Sequence, residues 1–182
     1  EHRRPERADV ADRHALDARQ RKDDEEVDAH RAPIDLAHAG DAALAHLPGD
    51  IEALTGRARA ETKAGEHAKA AEDWTLIIAK HAGNLPLIEA ATLERAASYR
   101  AAGNADAALA DYAKLLELNP KSIKAHIGRA AVHDMRGDRA KALEAFAQAM
   151  EIEPENTAPY IARAEAAERW GDTRMAIEDY SF

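Results

Sequence analysis

RAAGNADAALADY, residues 100–112, reads as a helix end, a turn and a new helix. Gly103 can take a positive φ without steric cost, and Asn104 is a good helix cap directly after it. The chain then repeats the pattern as MRGDRAKALEAF (135–146) and RWGDTRMAIEDY (169–180). Aligned glycines stand at Gly65, Gly103, Gly137 and Gly171, so the spacings are 38, 34 and 34 residues. Five residues after them come Ala70, Ala108, Ala142 and Ala176, and nine after come Trp74, Tyr112, Phe146 and Tyr180. Seven before them stand Ala58, Ala96, Ala130 and Ala164. Pro48, Pro86, Pro120 and Pro154 mark the boundaries between units.

This register describes a helix–turn–helix hairpin. The alanines on both sides of each glycine let two antiparallel helices cross closely, and the aromatic fills the wedge beside them. Asn104, Asp138 and Asp172 are expected to cap the second helices. The spacing predicts helix pairs at about 51–64 with 67–81, 88–102 with 105–118, 122–136 with 139–152, and 156–170 with 173–182. The first interval carries four extra residues near KHAGNLP, which need either a longer helix or a looser loop.

With its Ala-x3-aromatic and closing proline, the chain resembles the tetratricopeptide repeat family over about residues 51–182. The resemblance implies an all-α fold, a right-handed superhelical solenoid of antiparallel helix pairs. Its repeats would span 51–88, 89–122, 123–156 and a truncated 157–182. The sequence departs from the family pattern in the first helices. Leu54, Thr92, His126 and Tyr160 replace the family's Trp, and Arg57-Ala58, Arg95-Ala96, Arg129-Ala130 and Arg163-Ala164 replace its Leu-Gly. The Arg-Ala pair resembles a common bacterial variety of the repeat.

Upstream, residues 34–50 are expected to be the remaining helix of a degenerate repeat. Residues 1–33 read as a charged, mobile lead with hardly an apolar face. The opening EHRRPERADV has neither Met nor an apolar run. The chain is therefore expected to be a piece of a longer protein, with a last helix that no polar cap follows.

Composition narrows the function. A net charge of −9 disfavours nucleic acid as the main partner. No stretch is apolar enough for a membrane span, and the absence of cysteine excludes disulfides and thiolate metal sites. It does not choose between compartments: cytoplasm is the default expectation, and periplasm follows if a signal peptide precedes this piece. The sequence holds no phosphate loop, no His-Glu-x-x-His and no nucleophile elbow, and its three serines lie outside any such motif. His126 and His133 are two helical turns apart, too far for one metal ion, and fall at packing positions. No enzyme activity, metal or cofactor is expected.

Arg57, Arg95, Arg129 and Arg163 recur eight residues before the glycines, and Asp73, Asp111 and Asp179 eight after. They are read as a ladder of ion pairs within the helical hairpins. Arg129, whose unit has Ala145 at the aspartate place, is expected to use Glu144 or Asp111.

The family resemblance places the first helices on the concave side. The residues expected there are Leu93, Ile127 and Ile161 as an apolar floor, with Arg59, Ala97, Ala131 and Glu165 one turn on. Arg100, Asp134 and Glu168 follow a further turn on, so the groove is basic toward its N-terminal end and acidic toward the other. The family's carboxylate clamp is absent, since Lys124 stands alone without its Asn and Arg partners. The expected function is a scaffold that takes a peptide or amphipathic helix of a protein partner in this groove. The alternatives are an accessory segment of a larger enzyme or secretion and assembly protein, and an array that self-associates through its uncapped C-terminal helix.

Overall fold

The computed structural model describes residues 31–182, and their regular structure is entirely helical. Helix α1 covers 31–46. It is followed by α2 (Ile51–Lys63), α3 (His67–Lys80), α4 (Leu85–Ala101), α5 (Ala105–Leu118), α6 (Ile123–Met135), α7 (Arg139–Ile152), α8 (Thr157–Arg169) and α9 (Thr173–Tyr180). The charged lead expected over 1–33 lies, as far as residue 30, outside the described residues; residues 31–33 belong to α1.

Each hairpin reverses in the same way. Gly65, Gly103, Gly137 and Gly171 have φ between 73° and 79°. This left-handed backbone lets the amide of the next residue return to the first helix. Asn104 N–H donates to the Tyr99 carbonyl at 2.8 Å, Asp138 to His133 at 2.9 Å and Asp172 to Ala167 at 2.8 Å. Carbonyls left open at the helix end are thereby satisfied. The side chains of Asn104, Asp138 and Asp172 then accept from the amides of Ala107, Lys141 and Met175, closing the next helix's first turn.

The four extra residues of the first interval sit in one helix. The connections before α4, α6 and α8 are each four residues long, whereas α4 has 17 residues and α6 and α8 have 13. Pro86 accordingly lies in the first turn of α4 instead of ahead of it, where its missing N–H leaves no helical bond unmade.

The core is built on small residues. Ala58, Ala70, Ala96, Ala108, Ala130, Ala142, Ala164 and Ala176 are all buried at the hairpin crossings, and Trp74, Tyr112 and Phe146 fill the wedges. Close approach continues between units. A Cβ on Gly128 would lie 2.3 Å from the Tyr112 ring, so this ring sits where only glycine leaves room. First helices touch across units, α4 with α6 and α6 with α8, and successive second helices make no comparable contact. The stack therefore curves with its first helices on the inside.

The arginine ladder is present in three hairpins. Arg57 donates through Nε and Nη2 to both Asp73 carboxylate oxygens at 2.7 and 2.5 Å. Arg95 grips Asp111 at 2.7 and 2.6 Å, and Arg163 grips Asp179 at 2.8 and 2.6 Å. Arg57 and Arg95 also reach back to the preceding second helix, to Asp41 at 2.7 Å and Thr75 at 3.2 Å. The corresponding places before Arg129 and Arg163 are Ala113 and Ala147, which offer no side-chain acceptor. Arg129 uses neither Glu144 nor Asp111. It donates to Gln148 on α7 and to His126 Nδ1 at 3.4 Å, while His126 Nε2 meets the Pro120 carbonyl at 2.9 Å. Both imidazole bonds are satisfied together with the proton on Nε2, so His126 is a packing residue that ties α6 to the preceding loop.

Asp111→Ala is expected to lower stability by about 2 kcal/mol, because it leaves the half-buried Arg95 guanidinium without its carboxylate. Replacing both residues together with Met and Leu should recover most of that loss, as read from urea midpoints.

Glu61 sets a pH dependence. It is buried near the end of α2, and its Oε2 has no hydrogen-bond partner among the described residues. Burial, aided by the Asp73 charge, pushes its carboxyl up from 4.5 to about 7. The folded state therefore holds a proton that the unfolded chain releases between these values. Stability should fall as pH rises through that window and level off above it. Glu61→Gln is expected to remove this slope and to raise stability at pH 8 by about 1 kcal/mol, solvent reducing the full effect.

Candidate interaction groove

The inner surface is formed by residues at one-turn steps on α4, α6 and α8. These three helices converge on a hollow of about 860 Å³. Of the residues singled out in the sequence, Arg100, Ile127, Ala131, Asp134 and Glu165 line it. Phe146 forms part of its wall, since α7 packs behind α6. Ile127 also packs against the buried cluster around Phe146, so it serves the core and the hollow at once.

The other expected groove residues are spread more widely. Leu93 packs half-buried against the cluster around Tyr112, and Ala97 is likewise half-buried. Ile161 is 45% exposed and Glu168 is exposed, and neither lines the hollow. Arg59 lines a separate space of about 400 Å³ between α1 and α2, where Gly40 and Gly56 face it in place of larger side chains.

Three further residues shape the hollow: Arg139, Arg169 and Trp170. Trp170 Nε1 donates to Asp134 at 2.6 Å, and Arg169 donates to the same carboxylate at 2.7 and 3.0 Å. The Arg139 guanidinium lies 4.7 Å from the Trp170 ring centroid and is bonded to Asp172. A tryptophan standing in a polar turn was the available signal for this cluster. Its partner Asp134, however, lies 36 residues upstream on α6, beyond the reach of any local pattern.

This network changes the electrostatics expected from the sequence. Asp134 is compensated by Arg169 and hydrogen-bonded by Trp170, and Arg139 is compensated by Asp172. Among the described residues, the lining groups without an ion-pair partner are Arg100 on one wall and Glu165 on the other. Arg100 Nε is buried and has no hydrogen-bond partner there, although the Arg100 charge lies beside the buried Tyr112 hydroxyl. The arrangement offers an apolar floor between two opposite charges. No group of three or more metal-ligating side chains occurs among the described residues, and no described helix is long and apolar enough to cross a membrane.

Comparison with known proteins agrees with the repeat geometry. Tetratricopeptide repeat models match residues 90–122 and 123–156. No curated protein matches the chain significantly. Among solved structures, a tetratricopeptide repeat protein from Parabacteroides merdae ATCC 43184 is similar, with 26% identity and a TM-score of 0.69. That match covers 85% of this chain and 57% of the other, so this chain spans little more than half that protein's length. A thermophilic TPR protein of Thermus thermophilus is 23% identical over 86% of this chain and 88% of that one, with a TM-score of 0.62. MamA from Desulfovibrio magneticus RS-1, residue 41 to its end, shares the fold at 17% identity and a TM-score of 0.63, covering 88% of this chain and 89% of that one. Residues 90–156 are thus two consecutive tetratricopeptide repeats, flanked by hairpins with the same glycine, alanine and aromatic positions.

Proposed function

We propose that the chain is a non-enzymatic interaction module that holds a peptide or amphipathic helix of a protein partner along its first helices. The observation that carries this reading is the hollow shared by α4, α6 and α8, with its apolar floor at Ile127 and Ala131 and with opposite charges at Arg100 and Glu165 that have no ion-pair partner among the described residues. Apolar side chains on that floor would supply affinity, and the charges would set direction. The segment's acidic end lies toward Arg59 and Arg100, and its basic end toward Glu165 and Glu168. The net charge of −9 supports a protein partner over a nucleic acid.

Self-association is the second reading. Helix α9 leaves Ile177 exposed, and just beyond its end Phe182 is exposed and stacked on Tyr160 at 3.9 Å between centroids. Sedimentation over a hundredfold concentration range would reveal it, and Ile177→Glu should abolish any dimer that forms through this helix.

Ile127→Glu places a charge on the groove floor. It should weaken a bound segment by more than about 1 kcal/mol with helix content unchanged by circular dichroism. Arg100→Glu should weaken the same segment, and should also slow association and reduce its dependence on salt. A partner segment that binds both variants as tightly as the parent would move the site away from this face.

A further inference from the structure

The comparison of consecutive units shows why Arg100 lacks an ion-pair partner among the described residues. Arg100 and Asp134 occupy the same place, three residues before Gly103 and Gly137. Asp134 is met from the next unit by Arg169 and Trp170, which stand two residues and one residue before Gly171. The residues that correspond to these for Arg100 are Met135 and Arg136. Neither has an acceptor for a guanidinium, and Arg136 turns away to Asp106. Arg100 is thus held at the hollow by its own helix and by Tyr112, with a buried Nε that finds no acceptor among the described residues.

An unsatisfied buried donor on a charged group is costly, and a ligand that supplies the acceptor removes that cost. The chemistry of the acceptor follows from the surroundings. Elsewhere in this protein the arginine Nε is used together with Nη2 to grip a carboxylate, as Arg57, Arg95 and Arg163 do. The other cations of the hollow, Arg139 and Arg169, already hold Asp172 and Asp134. A single remaining guanidinium, with the Glu165 carboxylate on the opposite wall, matches one negative charge and disfavours a dianionic phosphate.

We infer that Arg100 is a socket for the side-chain carboxylate of an Asp or Glu within the partner's segment. An apolar residue of the same segment lies against Ile127, and a basic one faces Glu165. This assignment rests on the groove reading above. Because that reading carries the segment on past Arg100 toward Arg59, the carboxylate belongs to a side chain and not to the chain end.

A displayed library of random peptides, selected on the intact protein, tests this. The selected peptides should share an acidic residue next to an apolar one. Changing that residue to its amide should weaken binding at least tenfold on the parent protein and less than twofold on Arg100→Gln. Ile127→Glu should lose the peptides altogether. If binding needs Ile127 but is the same for acid and amide, the socket is wrong and the groove reading stands. Peptides that ignore Ile127→Glu, or a selection that yields none, would overturn the groove reading and the socket with it. A requirement for a free C-terminal carboxylate alone would overturn the side-chain assignment.

Discussion

The structure depends on helices that meet through alanine. At each hairpin the crossing is made by a pair such as Ala96 and Ala108 or Ala130 and Ala142, all of them fully buried. Close crossing places backbones near each other and leaves room for only one large side chain per wedge. Each such crossing removes little apolar area from water, so a lone hairpin gains too little to offset its ordering. Stability must therefore come from neighbours, as the Tyr112 ring of one unit against Gly128 of the next illustrates.

The polar architecture follows from the same closeness. Helices with small contact residues bring their flanking long side chains within reach, and arginine is suited to bridge them through a planar fork. Three forks to aspartate lie within hairpins, and two of those arginines extend to the preceding second helix. Such half-buried pairs contribute to geometry more than to net stability, since desolvation offsets much of their attraction. They tie α2 to α3, α4 to α5 and α8 to α9.

Fixing most charges in this way defines what remains for binding. The inner face carries several arginines and carboxylates, yet the Trp170 cluster neutralises the pairs around Asp134 and Asp172. The hollow is consequently simpler than the sequence suggests: an apolar floor with Arg100 and Glu165 as the lining charges that have no ion-pair partner among the described residues. In the function proposed above, recognition by so few charges would rely on where they stand relative to Ile127 and Ala131.

The sequence by itself determined the hairpin. Glycine, alanine, aromatic and capping positions act within one turn or one helix pair, so a periodic pattern reports them directly, and the fold, the capping residues and the hairpin ladder were all legible. It also grouped Ile127, Ala131 and Asp134 on one side of α6, because residues at one-turn steps on a helix share a side. Tertiary structure alone decided how the extra residues of the first interval were used, since a longer α4 and a longer loop preserve the same pattern. It alone decided that Arg129 turns to Gln148 and that Asp134 is taken by Arg169 and Trp170 from the next unit. Which long side chain finds which partner depends on the separation and angle of helices distant along the chain. No spacing in the sequence encodes that distance, and the partners that Arg129 and Asp134 take follow from it.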